Sequence, residues 1–197
     1  MLRSSMSWRP AIAAAMMALC LAAVVDRIAV VVGNNVITQS EVLREVRLTE
    51  FLNQQPLDLG PAARRAGAER LVDQQLIRNE MIAGNYPMPA PAEAEDGVLR
   101  SFREENYPDN DSLQNALQKY GLTEEDLKQH LLWQVAVLSF TDLRFQTGLP
   151  GEPVQSANRM KSGAPVPVPN DVDRQLDTWL KETRSSTRIQ FKPGAFQ

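Results

Sequence analysis

The sequence predicts a mainly α-helical fold of five to six helices, with a small β-sheet formed by an N-terminal hairpin and a C-terminal strand. Apolar residues recur at helical spacing in several segments, and residue types that begin or end helices bound these segments. A β-branched run at 24–32 precedes a turn sequence, and polar and apolar residues alternate at 188–191. We expect these two β segments to pair, because neither can bury its apolar face alone.

The composition of the 197-residue chain, with 43% hydrophobic and 23% charged residues, is typical of a globular protein. A net charge of −3 argues against a nucleic-acid partner, which would require clustered basic side chains. The chain has one Cys and one His, too few for most metal, disulfide or thiol chemistry. The sequence therefore predicts no metal site, no cofactor and no catalytic residue.

Residues 1–23 show the three-part pattern of a secretory signal peptide. Arg3 and Arg9 precede an apolar run at 11–23 that is too short to span a bilayer. The pattern predicts an exported, periplasmic protein without a stable membrane span once the signal is removed. Two alternatives stay open, namely an alanine-rich first helix of a cytosolic domain and lipidation at Cys20.

The first two helices are predicted from their N-terminal residues. Thr38 and Glu41 have the spacing of a capping box, so the first helix should run from Gln39 to about Phe51. Pro61 is suited to the first position of a second helix that reaches about residue 83.

A third helix is expected at 92–105, after a proline-rich connector. Asn110 or Asp111 should cap a short fourth helix. Thr123 should cap a fifth helix at 124–145. Since ten consecutive residues of this fifth helix are nearly all apolar, it should be a buried central helix rather than a membrane span.

Residues 147–170 have the composition of a linker, with five prolines and almost no large apolar side chain. Asn170 should then cap a last helix at 171–184, and the closing strand follows at 188–191. The predicted organisation is a signal peptide at 1–23, a helical domain at 24–146, a linker at 147–170, and a helix and strand at 171–197 that complete the core. We expect Trp179 of that last helix to be buried against the earlier helices.

Several stretches stand in a characteristic order along the chain: the strand and turn at 24–36, ITQSEV at 37–42, ERLVDQQLI at 69–77, the helix junction within 113–132, WLKETR at 179–184 and RIQF at 188–191. In this order the chain resembles the SurA family of periplasmic chaperones over roughly residues 24–145 and 171–192. The resemblance implies a chaperone core that holds unfolded outer-membrane protein precursors. In that family, parvulin-type prolyl isomerase domains lie between the fifth helix and the C-terminal helix. The interval at 147–170 is too short for such a domain, so the resemblance implies a chaperone core that is not an enzyme.

Two polar features have ordinary structural interpretations. His130, the only imidazole, has no Cys, Asp or Ser positioned around it in the sequence, so we interpret it as a partly exposed helix residue. Asp109, Asn110 and Asp111 look faintly like calcium ligands. The twelve-residue loop that such a site requires is missing, so we interpret them as a helix cap.

The candidate peptide-binding residues are Ile77, Met81, Trp133 and Phe140. Ile77 and Met81 lie opposite the main apolar face of the second helix, which is therefore either buried on two sides or carries an unpartnered stripe. These residues can form core for the C-terminal helix, or an adaptable groove for extended apolar segments. The sequence predicts an exported holdase for unfolded envelope and outer-membrane proteins, without isomerase activity. The alternative is a structural or assembly partner that docks one specific envelope protein.

Overall fold

A computed structural model of the protein describes residues 26–87, 91–146 and 169–197. Within these ranges the chain forms six α-helices and one three-stranded antiparallel sheet, which confirms the predicted fold class. The predicted signal peptide at 1–23 and residues 147–168 of the predicted linker lie outside the described residues. No helix in the described ranges combines the length and the hydrophobicity that crossing a bilayer requires.

The elements follow one another as β1 (Ile28–Val32), β2 (Asn35–Thr38), α1 (Gln39–Leu52), α2 (Pro61–Ala83), α3 (Pro91–Asn106), α4 (Asn110–Tyr120), α5 (Glu124–Thr141), a π-helical segment (Asp142–Gln146), α6 (Pro169–Ser186) and β3 (Ile189–Phe191). The predicted fifth helix thus ends its α-helical part at Thr141 and continues as the π-helical segment.

The sheet joins the two ends of the described chain. Its strand order is β2-β1-β3, and β3 pairs antiparallel with β1 so that Val30 lies opposite Phe191. The predicted pairing of 188–191 with 28–32 is therefore confirmed. Gly33, in the turn between β1 and β2, has a φ of 58°, a conformation that glycine adopts without steric cost. Its amide donates to the carbonyl oxygen of Arg188 at 2.9 Å, which connects this turn to the start of β3.

Most helix starts follow the local chemistry of the sequence. Thr38 and Thr123 each form a capping box, at the start of α1 and of α5. The predicted cap of α4 is wrong by one residue, because Asp109 rather than Asn110 or Asp111 accepts the amide of Ser112 at 2.7 Å. Hydrogen bonding from the side chain and the backbone amide of Ser112 lowers the pKa of the Asp109 carboxyl. The predicted cap of the last helix is also wrong, since α6 begins at Pro169 and therefore includes Asn170.

The core consists of three clusters. The sheet cluster packs β1 and β2 on the first turns of α1 and the middle of α2: Ala29, Val30, Val32, Ile37, Val42, Ala68, Val72, Leu76 and Ala195. The helix-junction cluster joins the end of α1 to α4 and the start of α5: Leu48, Phe51, Leu113, Leu117, Leu122, Leu127 and Leu131. The third, here called the aromatic cluster, contains Ile77, Met81, Ala136 and Phe140 as its buried members.

Ion pairs attach the C-terminal helix to α2. The guanidinium of Arg184 donates to Asp73 at 2.6 Å and to Glu69 at 2.7 Å. Burial alone would raise the pKa of Glu69, but hydrogen bonds from Arg184 and Arg65 outweigh it, so the pKa of that carboxyl is lowered. The Arg65 guanidinium also lies 3.5 Å from the ring centroid of Phe191. Side-chain contacts therefore hold both α6 and β3 on α2.

Candidate binding surface

The structure brings all four predicted peptide-binding residues together in the aromatic cluster, but it leaves only Trp133 partly accessible. Ile77 and Met81 of α2 are 5% and 1% exposed, and Phe140 of α5 is 1% exposed. The partly buried side chains around them are Tyr86, Trp133, Val137, Phe145, Leu176, Trp179 and Leu180. Of the two alternatives for Ile77 and Met81, the structure favours core over an accessible groove, because α5 and α6 cover that side of α2.

Phe140 is the centre of the cluster's ring contacts. Its centroid lies 5.1 Å from that of Tyr86 and 6.2 Å from that of Phe145, both with edge-to-face geometry, and 5.7 Å from that of Trp179. Such ring pairs stabilise beyond the area that they bury, by roughly 0.5–1.5 kcal/mol each. Trp179 packs on α5 through this contact, but it is half-buried rather than buried as expected from the sequence.

Arg144, from the π-helical segment, lies at the edge of the aromatic cluster. It donates to Glu80 of α2 at 2.5 Å and to the hydroxyl oxygen of Tyr86 at 3.3 Å. Its guanidinium carbon also lies 5.3 Å from the ring centroid of Trp179, within cation–π distance. This one side chain thus contacts α2, the turn after α2, and α6. The sequence analysis did not single it out, because a lone arginine at a helix end gives no signal of its partners.

Trp133 differs from the other three predicted residues because it is only half-buried. The guanidinium of Arg78, an exposed residue of α2, lies 4.9 Å from its ring centroid. The indole is therefore accessible in part, beside a cation that can stack on an aromatic face or bind a carboxylate.

Two large apolar side chains on the helices of the aromatic cluster are exposed. Ile82, directly after Met81, is 72% exposed, and Leu138, between Ala136 and Phe140, is 65% exposed. Leu138 lies on the face of α5 that carries Leu131, which is buried in the helix-junction cluster. That face is covered near the start of α5 and uncovered near its end. The exposure of these two residues could not be predicted, because the apolar pattern alone does not show where a neighbouring helix ends.

A polar group of three side chains lies where α1, α2 and α5 meet. Glu45 of α1 is buried and pairs with Arg70 of α2 at 3.1 Å. Burial lowers the pKa of His130 on α5, while the charge of Glu45 acts in the opposite direction and that of Arg70 reinforces the shift. Within the described ranges, His, Cys, Asp and Glu form no group of three or more that could hold a metal ion. We interpret the three side chains as a structural contact between helices.

No protein-family model matches the sequence, and no curated protein matches it.

Proposed function

We propose that this protein is an exported chaperone module of the holdase type, which binds unfolded or extended segments of envelope and outer-membrane proteins without isomerase activity. The order of sequence elements that resembles the SurA family supports this proposal, and so does the signal-like pattern at 1–23. The proposal covers the periplasmic location as well as the activity.

The exposure of Ile82 and Leu138 is the observation that carries the proposal. Large exposed apolar side chains on α2 and α5 each offer contact area to segments of many sequences, because hydrophobic contact does not depend on a specific geometry. Covering two such side chains would contribute roughly 3–5 kcal/mol before entropy costs. The smaller net gain that remains after these costs suits the weak and reversible binding that a holdase requires.

Aggregation suppression with several unrelated unfolded proteins tests the proposal. The chain should slow aggregation of each of them, and the double variant Ile82→Ser with Leu138→Ser should lose most of that effect while keeping its melting temperature. Leu57→Ser is the matched control, since Leu57 is also exposed but lies between α1 and α2. Equal activity of the double variant and the control would refute the proposal that Ile82 and Leu138 bind the unfolded proteins. If the chain suppresses the aggregation of none of the proteins, the proposed holdase function is refuted.

The same surface suits a second candidate, a structural or assembly partner that docks one folded envelope protein. The breadth of binding decides between the two. A dedicated partner would bind a single protein tightly and would leave unrelated unfolded proteins to aggregate.

A further inference from the structure

Arg78 is a cation of α2 that has no carboxylate partner among the described residues. The other three arginines of this helix each donate to a protein oxygen: Arg64 to Leu59 and Gln197, Arg65 to Glu69, and Arg70 to Glu45. The guanidinium of Arg78 instead lies over the ring of Trp133 on α5. Glu80, the acidic residue nearest to Arg78 along α2, pairs with Arg144. The charge of Arg78 is therefore available to the carboxylate of a partner.

Trp133 orients this cation and leaves hydrogen-bond donors free. The distance of 4.9 Å between the guanidinium carbon of Arg78 and the ring centroid is within the cation–π range. That interaction uses the charge of the group, and a guanidinium has five N–H donors, so donors remain for a carboxylate. The ring also restricts a long side chain that would otherwise lose rotamer freedom on binding. Trp133 is therefore a positioning residue for Arg78.

An exposed apolar side chain lies one turn further along α2. Ile82 follows Arg78 by four residues, so the two residues share one side of the helix and are separated by about 6 Å along its axis. Both side chains are exposed. In an extended polypeptide, alternate side chains point to the same side and lie about 7 Å apart. An acidic and an apolar residue separated by one residue therefore match the spacing of Arg78 and Ile82.

We propose that Arg78, Ile82 and Trp133 form a selective contact for extended client segments in which an acidic residue and a large aliphatic residue are separated by one residue. The side-chain carboxylate of the segment accepts hydrogen bonds from Arg78, and its aliphatic side chain covers Ile82. The inference rests on the proposed function and deepens it, because it names the class of segment that this part of the surface prefers. Since the chain as a whole is negatively charged, a preference for acidic segments cannot arise from its net charge and must be local.

Peptide binding to the full chain tests the preference. Three short peptides share one polar sequence and contain Glu-Thr-Leu, Gln-Thr-Leu or Glu-Leu-Thr at the centre, with both termini blocked so that no terminal carboxylate is present. The Glu-Thr-Leu peptide should bind about threefold more tightly than either control, within the range of exposed ion pairs. Its advantage over the Gln-Thr-Leu peptide should decrease in about 1 M salt, which screens the charges. Equal affinity of the Glu-Thr-Leu peptide and either control, or no binding of any peptide, would overturn the inference.

Variants with matched changes of charge locate the contact. Arg78→Gln should bind the Glu-Thr-Leu and Gln-Thr-Leu peptides equally, whereas Arg100→Gln, which removes an exposed cation from α3, should keep the threefold preference. Ile82→Ser should bind the Glu-Thr-Leu and Glu-Leu-Thr peptides equally, because it removes the apolar contact. All three positions are exposed, so each variant should keep its melting temperature. A preference that survives Arg78→Gln, or one that is lost in Arg100→Gln, contradicts the inference.

A third variant tests the positioning role of Trp133. Trp133→Leu keeps an apolar side chain in the aromatic cluster but removes the ring beneath Arg78. The ratio of the affinities for the Glu-Thr-Leu and Gln-Thr-Leu peptides should decrease toward one, a change that a purely structural role would not cause. An unchanged ratio in the folded variant would overturn the role of Trp133. If this variant does not fold, the NMR signal of the Arg78 Nε–H group decides, since it should shift with the Glu-Thr-Leu peptide and not with the Gln-Thr-Leu peptide.

Two outcomes separate this inference from the proposed function. A chain that suppresses aggregation but does not distinguish Glu from Gln retains the holdase function, and the inference is overturned. A chain that shows the preference but suppresses the aggregation of no unfolded protein retains the contact for such segments, and the holdase function is refuted. A dimer that Arg78→Gln disrupts would identify a second copy as the occupant and would overturn the inference.

Discussion

Truncating Met81 measures how far the aromatic cluster acts as core. Met81 is almost fully buried between α2 and its neighbours, so Met81→Ala removes apolar contacts and leaves a cavity that the surrounding rings fill only in part. We expect the free energy of unfolding to decrease by about 3 kcal/mol, within the range found for buried Met→Ala substitutions. For a domain of this size, that loss lowers the melting temperature by roughly 6–12 °C.

The adjacent residue provides the control. Ile82 lies on the same helix but is largely exposed, so Ile82→Ala should change the free energy of unfolding by no more than about 0.5 kcal/mol. Denaturant unfolding followed by circular dichroism gives both values under identical conditions. A loss below about 1 kcal/mol for Met81→Ala, or equal losses for the two variants, would refute the assignment of Met81 to the core.

Three other outcomes follow from the contacts of the C-terminal helix and strand and from the partly buried His130. Deleting residues 171–197 removes α6 and β3, so cooperative thermal unfolding should be lost or shifted far downward, and an unchanged melting temperature would contradict the observed packing. Arg184→Met keeps the apolar stem but breaks the pairs with Asp73 and Glu69, and should cost roughly 1–2 kcal/mol, less at high salt. Because the pKa of His130 is lowered in the folded state, the unfolded chain takes up a proton at higher pH. The free energy of unfolding should then decrease as the pH falls through the ordinary value of 6.5 and level off below the folded pKa. Urea unfolding at several pH values should show this dependence for the unmodified chain and a smaller one for His130→Gln.

The sequence predicted those elements whose determinants are local. The capping boxes at Thr38 and Thr123 satisfy backbone amides within one turn, so the starts of α1 and α5 follow from four residues each. The pairing of β3 with β1 is not local, yet it was also predicted, because two short strands without another partner leave little choice. The cap of α4 was assigned one residue too late, since Asp109, Asn110 and Asp111 are all suitable capping residues and the pattern does not choose among them.

The candidate binding residues were predicted less well than the fold, because the exposure of a side chain depends on how the other helices pack around it. Apolar side chains on two sides of α2 fit a helix buried twice and a helix with a free groove equally well. In the structure α2 is buried on both sides, because Phe140 of α5 packs against it and Trp179 of α6 covers the remaining side. The exposed residue is Ile82, one position after Met81 and about 100° further around the helix.

Leu138 is a second residue whose exposure cannot be predicted from the apolar spacing of its helix. It shares a face of α5 with Leu127 and Leu131, so the apolar spacing treats all three alike. Seven residues separate Leu131 from Leu138, which places the second side chain about 10 Å further along the axis. The packing of α1, α3 and α4 buries the first two leucines, and it no longer covers the third. An apolar helix face that extends beyond the helices covering it is therefore a feature of three-dimensional packing, which the spacing of apolar residues alone does not reveal.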